Sequence, residues 1–214
     1  KRKGPRKGAQ ADMSDTPAFI PGLIRETFAD PRGAARRIVA LELPAPVLWQ
    51  ALALVVALSA IAAQISSLVL SGPGAAEQSL LPFAGSPLIV GLIQGGILVI
   101  MVFAIHWIGS SFGGIGRLED SIAAVAWLQF LLVCLQVVQL GIGFLSPALS
   151  GLVGLAGIVF FFWLLTQFVM AVHGFESAAM VFVMIVVSLL GITFALSLIL
   201  TLLGVATPGG APNV

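Results

Sequence analysis

Charged side chains are scarce in this sequence, and their scarcity excludes most classes of protein. Of its 214 residues, 10 are lysine or arginine and 9 are aspartate or glutamate, together 9%, whereas about a quarter of a soluble domain is charged. Hydrophobic residues make up 59% of the chain, and the mean hydropathy is +1.11. This balance excludes an ordinary soluble enzyme and a disordered protein. It predicts an integral membrane protein of the all-α class, because hydrocarbon requires each backbone polar group to find a partner within the protein.

Residue types that carry chemistry are equally few. The one cysteine, Cys134, cannot form an internal disulfide. No pair of nucleophile and base, and no complete set of metal ligands, can be assembled from the other side chains. We therefore expect no catalytic residue, no resident metal or cofactor and no nucleic-acid partner. The expected class is a non-catalytic membrane protein in contact with the lipid bilayer.

Long uncharged runs make up the body of the chain. Four runs contain no charged side chain: residues 43–76, 78–116, 121–175 and 177–214. A membrane-crossing helix needs about 20 apolar residues. As one helix the third run would be roughly 80 Å long, at about 1.5 Å per residue, so it must turn, and Ser146-Pro147 provides a turn. We predict five transmembrane helices, at about 46–70, 87–109, 120–145, 150–174 and 178–204.

The chain before the first predicted span has two parts. The first part is basic, with glycine and proline, and predicts a disordered tail that either only orients the protein or contacts anionic lipid or an acidic partner. The second part places apolar residues at helical spacing, with Asp30 as an N-cap before Pro31. It predicts short helices in the interface plane, as a simple approach to the first span or as a docking surface. The predicted division is a tail over 1–17, an amphipathic interfacial segment over 18–42, a transmembrane domain over 43–205 and a C-terminal tail over 206–214.

Basic residues lie on one side of the predicted bundle. Nine of the ten lysines and arginines precede residue 38, and the tenth is Arg117, after the second predicted span. With five spans, the N-terminus, that loop and the loop after the fourth span share one side. Cytoplasmic segments are the ones enriched in lysine and arginine. The pattern therefore predicts a cytoplasmic N-terminus and a C-terminus on the opposite side.

Three short patches resemble one known family. The first is Phe28–Arg37 (FADPRGAARR), the second is His106–Ser121 (HWIGSSFGGIGRLEDS), and the third runs from Phe162-Trp163 to His173-Gly174-Phe175. Together with five spans they resemble the Yip-domain family, named for Ypt-interacting proteins, over about residues 23–203. The bacterial branch of that family has a lead with an aspartate-proline pair, a GG-x-G loop after the second span and a tryptophan and a histidine-glycine pair in the fourth.

The resemblance implies a five-span fold and leaves the activity open. Eukaryotic members bind Rab-type GTPases and act in Golgi traffic, whereas this chain, with its short head and many alanines, glycines and leucines, is more similar to the bacterial branch, which has no agreed activity. The resemblance implies a multi-pass protein of the bacterial inner membrane, and with the distribution of basic residues it predicts a periplasmic C-terminus. Such a protein would act as a binding, organising or accessory subunit for another membrane protein or complex.

Residues on the predicted cytoplasmic side are the candidate contacts to lipid or to a partner. They are Arg25, Arg32, Arg36, Arg37, Gly113, Gly114, Gly116 and Arg117. The glycine cluster lacks the lysine and the following hydroxyl residue of a phosphate-binding loop, and it follows no predicted strand. Its plainer interpretation is a flexible turn between two spans. Glu119 and Asp120 suit the first turn of the next helix.

The only two histidines, His106 and His173, fall at the cytoplasmic ends of the second and fourth predicted spans. Two histidines at one depth could ligate a haem, a metal or a pigment. An alternative function is therefore a haem- or pigment-associated subunit. No further ligand motif accompanies the pair, and the plainer interpretation is an interfacial histidine whose ring is half hydrated.

Polar residues inside the predicted spans are uncharged. The absence of acidic and basic residues there argues against a proton-coupled transporter or pump. Gln129, Gln136 and Gln139 share one face of the third span, and buried amides need partners on other helices. The alternative is a small channel or transporter for an uncharged solute, with this face lining a cavity. The Gly91-x-x-x-Gly95 spacing permits close packing within the bundle or between chains, so a homo-oligomer stays open.

Overall fold

Seven α-helices make up the part of the chain that the structure, a computed structural model, describes, which is residues 16–70 and 86–202. They are α1 (Thr16–Ala29), α2 (Pro31–Val39), α3 (Ala45–Leu70), α4 (Pro87–Ser111), α5 (Leu118–Leu145), α6 (Pro147–His173) and α7 (Ala178–Leu202). Strands are absent from these residues, and α3 to α7 are long and apolar enough to cross a membrane. The predicted class, an all-α polytopic membrane protein with five spans, is confirmed. Most of the predicted N-terminal tail, residues 1–15, and the whole C-terminal tail, 206–214, lie outside the described residues.

The turn between α5 and α6 is shorter than the sequence predicts. Ser146 is at once the C-cap of α5 and the N-cap of α6, where its hydroxyl accepts the N–H of Leu149 at 3.3 Å. Pro147 occupies the first position of α6, where the missing N–H costs nothing because it has no partner within the helix. Helix α6 therefore begins three residues before the predicted position 150.

Helix α5 lies at the centre of the bundle. It packs against α2, α3, α4 and α6. In its most apolar 18-residue stretch 56% is buried, against 6% in the corresponding stretch of α7. Ile122, Val125 and Leu128 of α5 and Phe168 of α6 are at most 1% exposed. A helix that is apolar on all sides suits this central position, whereas α7 leaves most of its surface to lipid.

The pair α1 and α2, which we call the lead, is attached to the bundle. The buried hydroxyl of Thr27 donates to the Leu23 carbonyl at 2.8 Å and accepts the indole N–H of Trp127, on α5, at 3.1 Å. Phe28 stacks on Phe160 of α6, with ring centroids 5.0 Å apart. The amphipathic pattern predicted helices in this segment but not their contacts with α5 and α6.

One end of the bundle, which we call the head end, collects the polar parts of the described chain. The lead, the α2–α3 connection, the start of α3, the α4–α5 loop with the first turn of α5, and the α6–α7 junction all lie there. All charged residues within 16–70 and 86–202 belong to these segments. The remaining length of the five long helices is therefore free of formal charge.

The contact of Thr27 with Trp127 provides a test of how firmly the lead is attached. We expect Thr27→Val, which keeps the shape but removes both hydrogen bonds, to cost about 1–3 kcal/mol, because the buried indole N–H loses its partner. Thermal unfolding of the detergent-solubilised protein measures the loss. Ser67→Ala is the matched control, since Ser67 is exposed and bonds only within its own helix. Equal midpoints for the two variants would contradict the attachment.

Candidate functional site

Helix α4 ends in an ordered glycine turn at the head end. The N–H of Gly114 donates to the Gly109 carbonyl at 2.9 Å, and the N–H of Gly113 donates to Ser110 at 3.0 Å. Gly113 has a φ of +87°, a conformation that glycine adopts without the penalty of a Cβ. These are the bonds of a Schellman C-cap. The loop thus begins with a defined C-cap of α4.

The imidazole of His173 lies against three glycines, Gly109, Gly114 and Gly116, which we call the glycine cradle. His173 is 2% exposed. A Cβ at Gly109 or at Gly114 would overlap its ring, and one at Gly116 would lie 2.6 Å from the side chain of Val172. The absence of side chains at these positions lets α4 and its loop approach α6 closely. The structure thereby gives Gly114 and Gly116 a packing role, while their predicted contact with a partner stays a prediction.

The two histidines meet at the cradle, and they carry two buried nitrogens without a hydrogen-bond partner among the described residues. These are Nδ1 of His106 and Nε2 of His173. His106 stands one helical turn before Gly109, and so lies beside the same ring. Nδ1 of His173 lies 3.3 Å from the Val169 carbonyl, so its other nitrogen is the one available to a ligand.

A metal or haem iron does not fit at this nitrogen. Nε2 of His173 faces Gly109 so closely that even a Cβ there would overlap it, whereas a bound metal needs room at about 2.0–2.1 Å from the nitrogen. Within the described residues, no group of three or more His, Cys, Asp and Glu side chains could hold a metal ion. The haem- or pigment-ligand alternative for His106 and His173 is therefore not supported by the geometry.

Arg32 joins the lead to α6. Its Nε donates to Oε1 of Gln167 at 2.6 Å, and its Nη2 contacts Sδ of Met170 at 3.1 Å. A hydrogen bond from a charged donor is stronger than a neutral one, which favours this inward position over an exposed one. The structure thus gives Arg32 an internal partner, although the sequence placed it among the outward contacts.

The other lead arginines lie further out. Arg37 pairs with Glu26 at 2.8 Å, and Arg36 lies 3.9 Å from Asp30 with 64% of its side chain exposed. Arg25 is exposed, and it makes no ion pair with any residue that the structure describes. Exposed pairs such as these contribute about 0–1 kcal/mol, so the arginines remain available for other contacts.

The start of α5 completes the head end. The N–H of Arg117 donates to the Asp120 carboxylate at 2.9 Å, and its guanidinium lies 3.4 Å from Glu119. The two carboxylates stand in the first turn, where the helix dipole favours negative charge. This cap starts α5 at Leu118, two residues before the predicted position 120. A polar cavity of about 30 Å³ separates the group from Glu42, in the α2–α3 connection.

Two of the three glutamines of α5, Gln136 and Gln139, bond to different neighbours. Gln136 accepts from the hydroxyl of Ser59 at 3.5 Å, and that hydroxyl accepts from Gln94 at 2.9 Å, which links α3, α4 and α5. Gln139 donates to a backbone carbonyl in the first turn of α6 at 3.4 Å. Gln129 is 5% exposed. Such contacts are what amides require in hydrocarbon.

Two larger cavities occur in the described part of the chain, and both are apolar. One, of about 190 Å³, lies between α4, α6 and α7. The other, of about 460 Å³, lies between α1, α5 and α6. None of the three glutamines lines either cavity, so no observation favours the channel or transporter alternative.

The sequence patterns did not identify three residues of the site. They are Gly109, Gln167 and Met170, which hold His173 and Arg32. A usable signal existed for Gly109, which follows the predicted site residue His106 by one helical turn. None existed for the other two, because their role depends on which face α6 turns toward the lead.

The fold and the head-end geometry define a polytopic helical membrane protein with an ordered cap at one end. The family model described as Yip1 domain matches residues 25–213 of the chain. Because this match covers most of the sequence, the chain belongs to the Yip1 domain family. No curated protein and no solved structure matches the chain.

The glycine cradle can be tested at Gly109, where the ring of His173 is the obstacle to a side chain. We expect Gly109→Ala to destabilise the protein by about 1–3 kcal/mol through overpacking, despite the gain in helix propensity. Gly96→Ala, in the same helix with open space around it, should stabilise by up to about 1 kcal/mol. Thermal unfolding in detergent measures both changes.

A second substitution identifies the cause. In a His173→Ala background the obstacle is removed, and Gly109→Ala should then cost less than in the natural sequence. An unchanged cost in that background would show that the ring does not define the cradle.

Proposed function

We propose that this protein is a non-catalytic, multi-pass protein of a bacterial inner membrane that binds and organises another integral membrane protein or complex. The observation that carries the proposal is the distribution of charge. Every charged residue in the described ranges lies at the head end, whereas α3 to α7 present apolar surfaces. A partner that recognises charge can therefore contact the described part of this protein only at the head end.

Exposed arginines supply the proposed contact surface. Arg36 and Arg117 expose 64% and 65% of their side chains, at 3.9 Å and 3.4 Å from acidic neighbours. Ion pairs this exposed are weak, so a partner carboxylate could replace the internal one at little cost. The Arg32–Gln167 bond and the glycine cradle fix the segments that carry this surface. A surface held in place loses less conformational entropy on binding.

The proposed orientation places the head end in the cytoplasm and the C-terminus in the periplasm. It rests on the rule that cytoplasmic segments are enriched in lysine and arginine. The five spans put the basic N-terminal segment and Arg117 on the same side. A partner would accordingly meet Arg36 and Arg117 from the cytoplasmic side.

The contact surface predicts a charge-dependent partner. We expect Arg36→Gln combined with Arg117→Gln to lose an integral membrane protein that the natural chain retains when purified from native membranes in mild detergent. High salt should weaken retention by the natural chain, since exposed charge pairs are screened. The control is Arg36→Lys combined with Arg117→Lys, which keeps both charges. Recovery of the same proteins by all three chains at low and high salt would reject the surface.

The orientation predicts thiol accessibility. In a Cys134→Ala background, we expect Ser111→Cys, at the head end, to react with a membrane-impermeant maleimide only after spheroplasts are lysed. Ala148→Cys, at the opposite end, should react in intact spheroplasts. Both positions are exposed, so exposure in the protein does not distinguish them. The reverse pattern would place the head end in the periplasm.

A further inference from the structure

An apolar groove of definite length lies on the outside of the bundle. Its volume is about 460 Å³, and it runs along α5 from Leu128 to Val138 and along α6 from Val153 to Leu164. Ile24 and Phe28 of α1 also line it. The lining is apolar except for the thiol of Cys134, so the groove suits a hydrocarbon occupant.

The four tryptophans indicate where the membrane boundary lies on the head side. Trp49 and Trp107 stand four residues from the head-end termini of α3 and α4, Trp127 nine from that of α5, and Trp163 ten from that of α6. At about 1.5 Å per residue they lie roughly 6–15 Å from the helix ends. Tryptophan is enriched at the interface between hydrocarbon and water. The hydrocarbon therefore begins roughly 6–15 Å below the helix ends, and Trp127 and Trp163 mark the deeper limit of this boundary.

The groove starts at this boundary and extends through one leaflet. Leu128 and Leu164 are next to Trp127 and Trp163 in the sequence, and from this level the groove continues for ten residues of α5, which is about 15 Å. The hydrocarbon core is about 30 Å thick, so this length is one leaflet. A partner's transmembrane helix would need a surface along the whole core, whereas one acyl chain needs half of it.

Arg25 lies in α1 between two residues that line the groove. It follows Ile24 and precedes Phe28 by three residues, so on the helix surface it neighbours the stripe of α1 that lines the groove. The other lead arginines have partners on the protein: Gln167 for Arg32, Asp30 for Arg36 and Glu26 for Arg37. Arg25 is exposed, and its guanidinium can form two parallel hydrogen bonds to a phosphate.

We propose that this groove binds one acyl chain of an anionic phospholipid of the head-side leaflet, with the lipid phosphate at Arg25. The chain fills the space between α5 and α6 and packs against Phe28. The site goes beyond the proposed protein-binding function, because it uses neither Arg36 nor Arg117.

Native mass spectrometry of the purified full-length protein tests the site. The probes are dioleoyl phosphatidylglycerol and dioleoyl phosphatidylcholine, which share acyl chains and differ in headgroup charge. We expect one tightly held phosphatidylglycerol per chain, held more strongly than phosphatidylcholine. Arg25→Gln should weaken its binding about fivefold, the effect of one basic residue near a membrane surface, whereas Arg25→Lys should retain most of it.

Filling the groove tests the acyl-chain part of the proposal. Ala156 is an exposed residue of the groove. Ala156→Trp places an indole ring in the groove and should abolish retention of the lipid. Ala195→Trp, on the exposed surface of α7, should leave it unchanged. Cys134 gives a second readout on the unmodified protein, because bound phosphatidylglycerol should slow its reaction with N-ethylmaleimide.

Three results would overturn the proposal. One is equal retention of the two lipids by the natural chain. Another is equal phosphatidylglycerol retention by Ala156→Trp and Ala195→Trp, when thermal unfolding measurements show that both variants are folded. The last is a change of oligomeric state in Ala156→Trp with lipid retention intact, which would assign the groove to a protein helix. If Ala156→Trp does not fold, the proposal is still tested by the phosphatidylglycerol retention of the Arg25 variants and by the rate at which Cys134 reacts with N-ethylmaleimide.

Discussion

Charged groups and unpaired backbone groups are costly in hydrocarbon, and this constraint accounts for most of the architecture. It requires long helices wherever the chain crosses the membrane, and it moves every described charge to one end of the bundle. Amides within the spans bond between helices, as Gln136 and Gln94 do through Ser59. The central position of α5 follows as well, since its apolar surface can be covered on several sides by neighbouring helices.

The head end is held together by contacts that depend on the size of side chains. The ring of His173 fits against α4 and its loop only because Gly109 and Gly114 have no Cβ. Arg32 reaches Gln167 because the lead lies on α6. Both contacts fix the head end relative to the spans, so the exposed arginines are presented from an ordered base. A buried, well-packed support of this kind is what a binding surface needs to keep its geometry.

Much of the fold could be predicted from local patterns. Uncharged runs marked the five spans, and capping residues marked helix ends: Asp30, for example, accepts the N–H of Gly33 at 2.9 Å. The site was predicted less completely. The sequence pointed to the lead arginines, the glycine loop and the histidines, but not to the cradle or to the inward position of Arg32. Arg32 and Gln167 are 135 residues apart, and no local pattern reports a contact over that distance.

The sequence alone determined the number of membrane-crossing helices and the end that carries the charge. Both depend on the composition of short segments, and the cost of placing a charge in hydrocarbon is the same in any fold. Only the tertiary structure decided which arginine turns inward, which glycines contact a ring and where an apolar groove remains. Those outcomes depend on how each helix is rotated against its neighbours, and the rotation is set by the packing of all of them together.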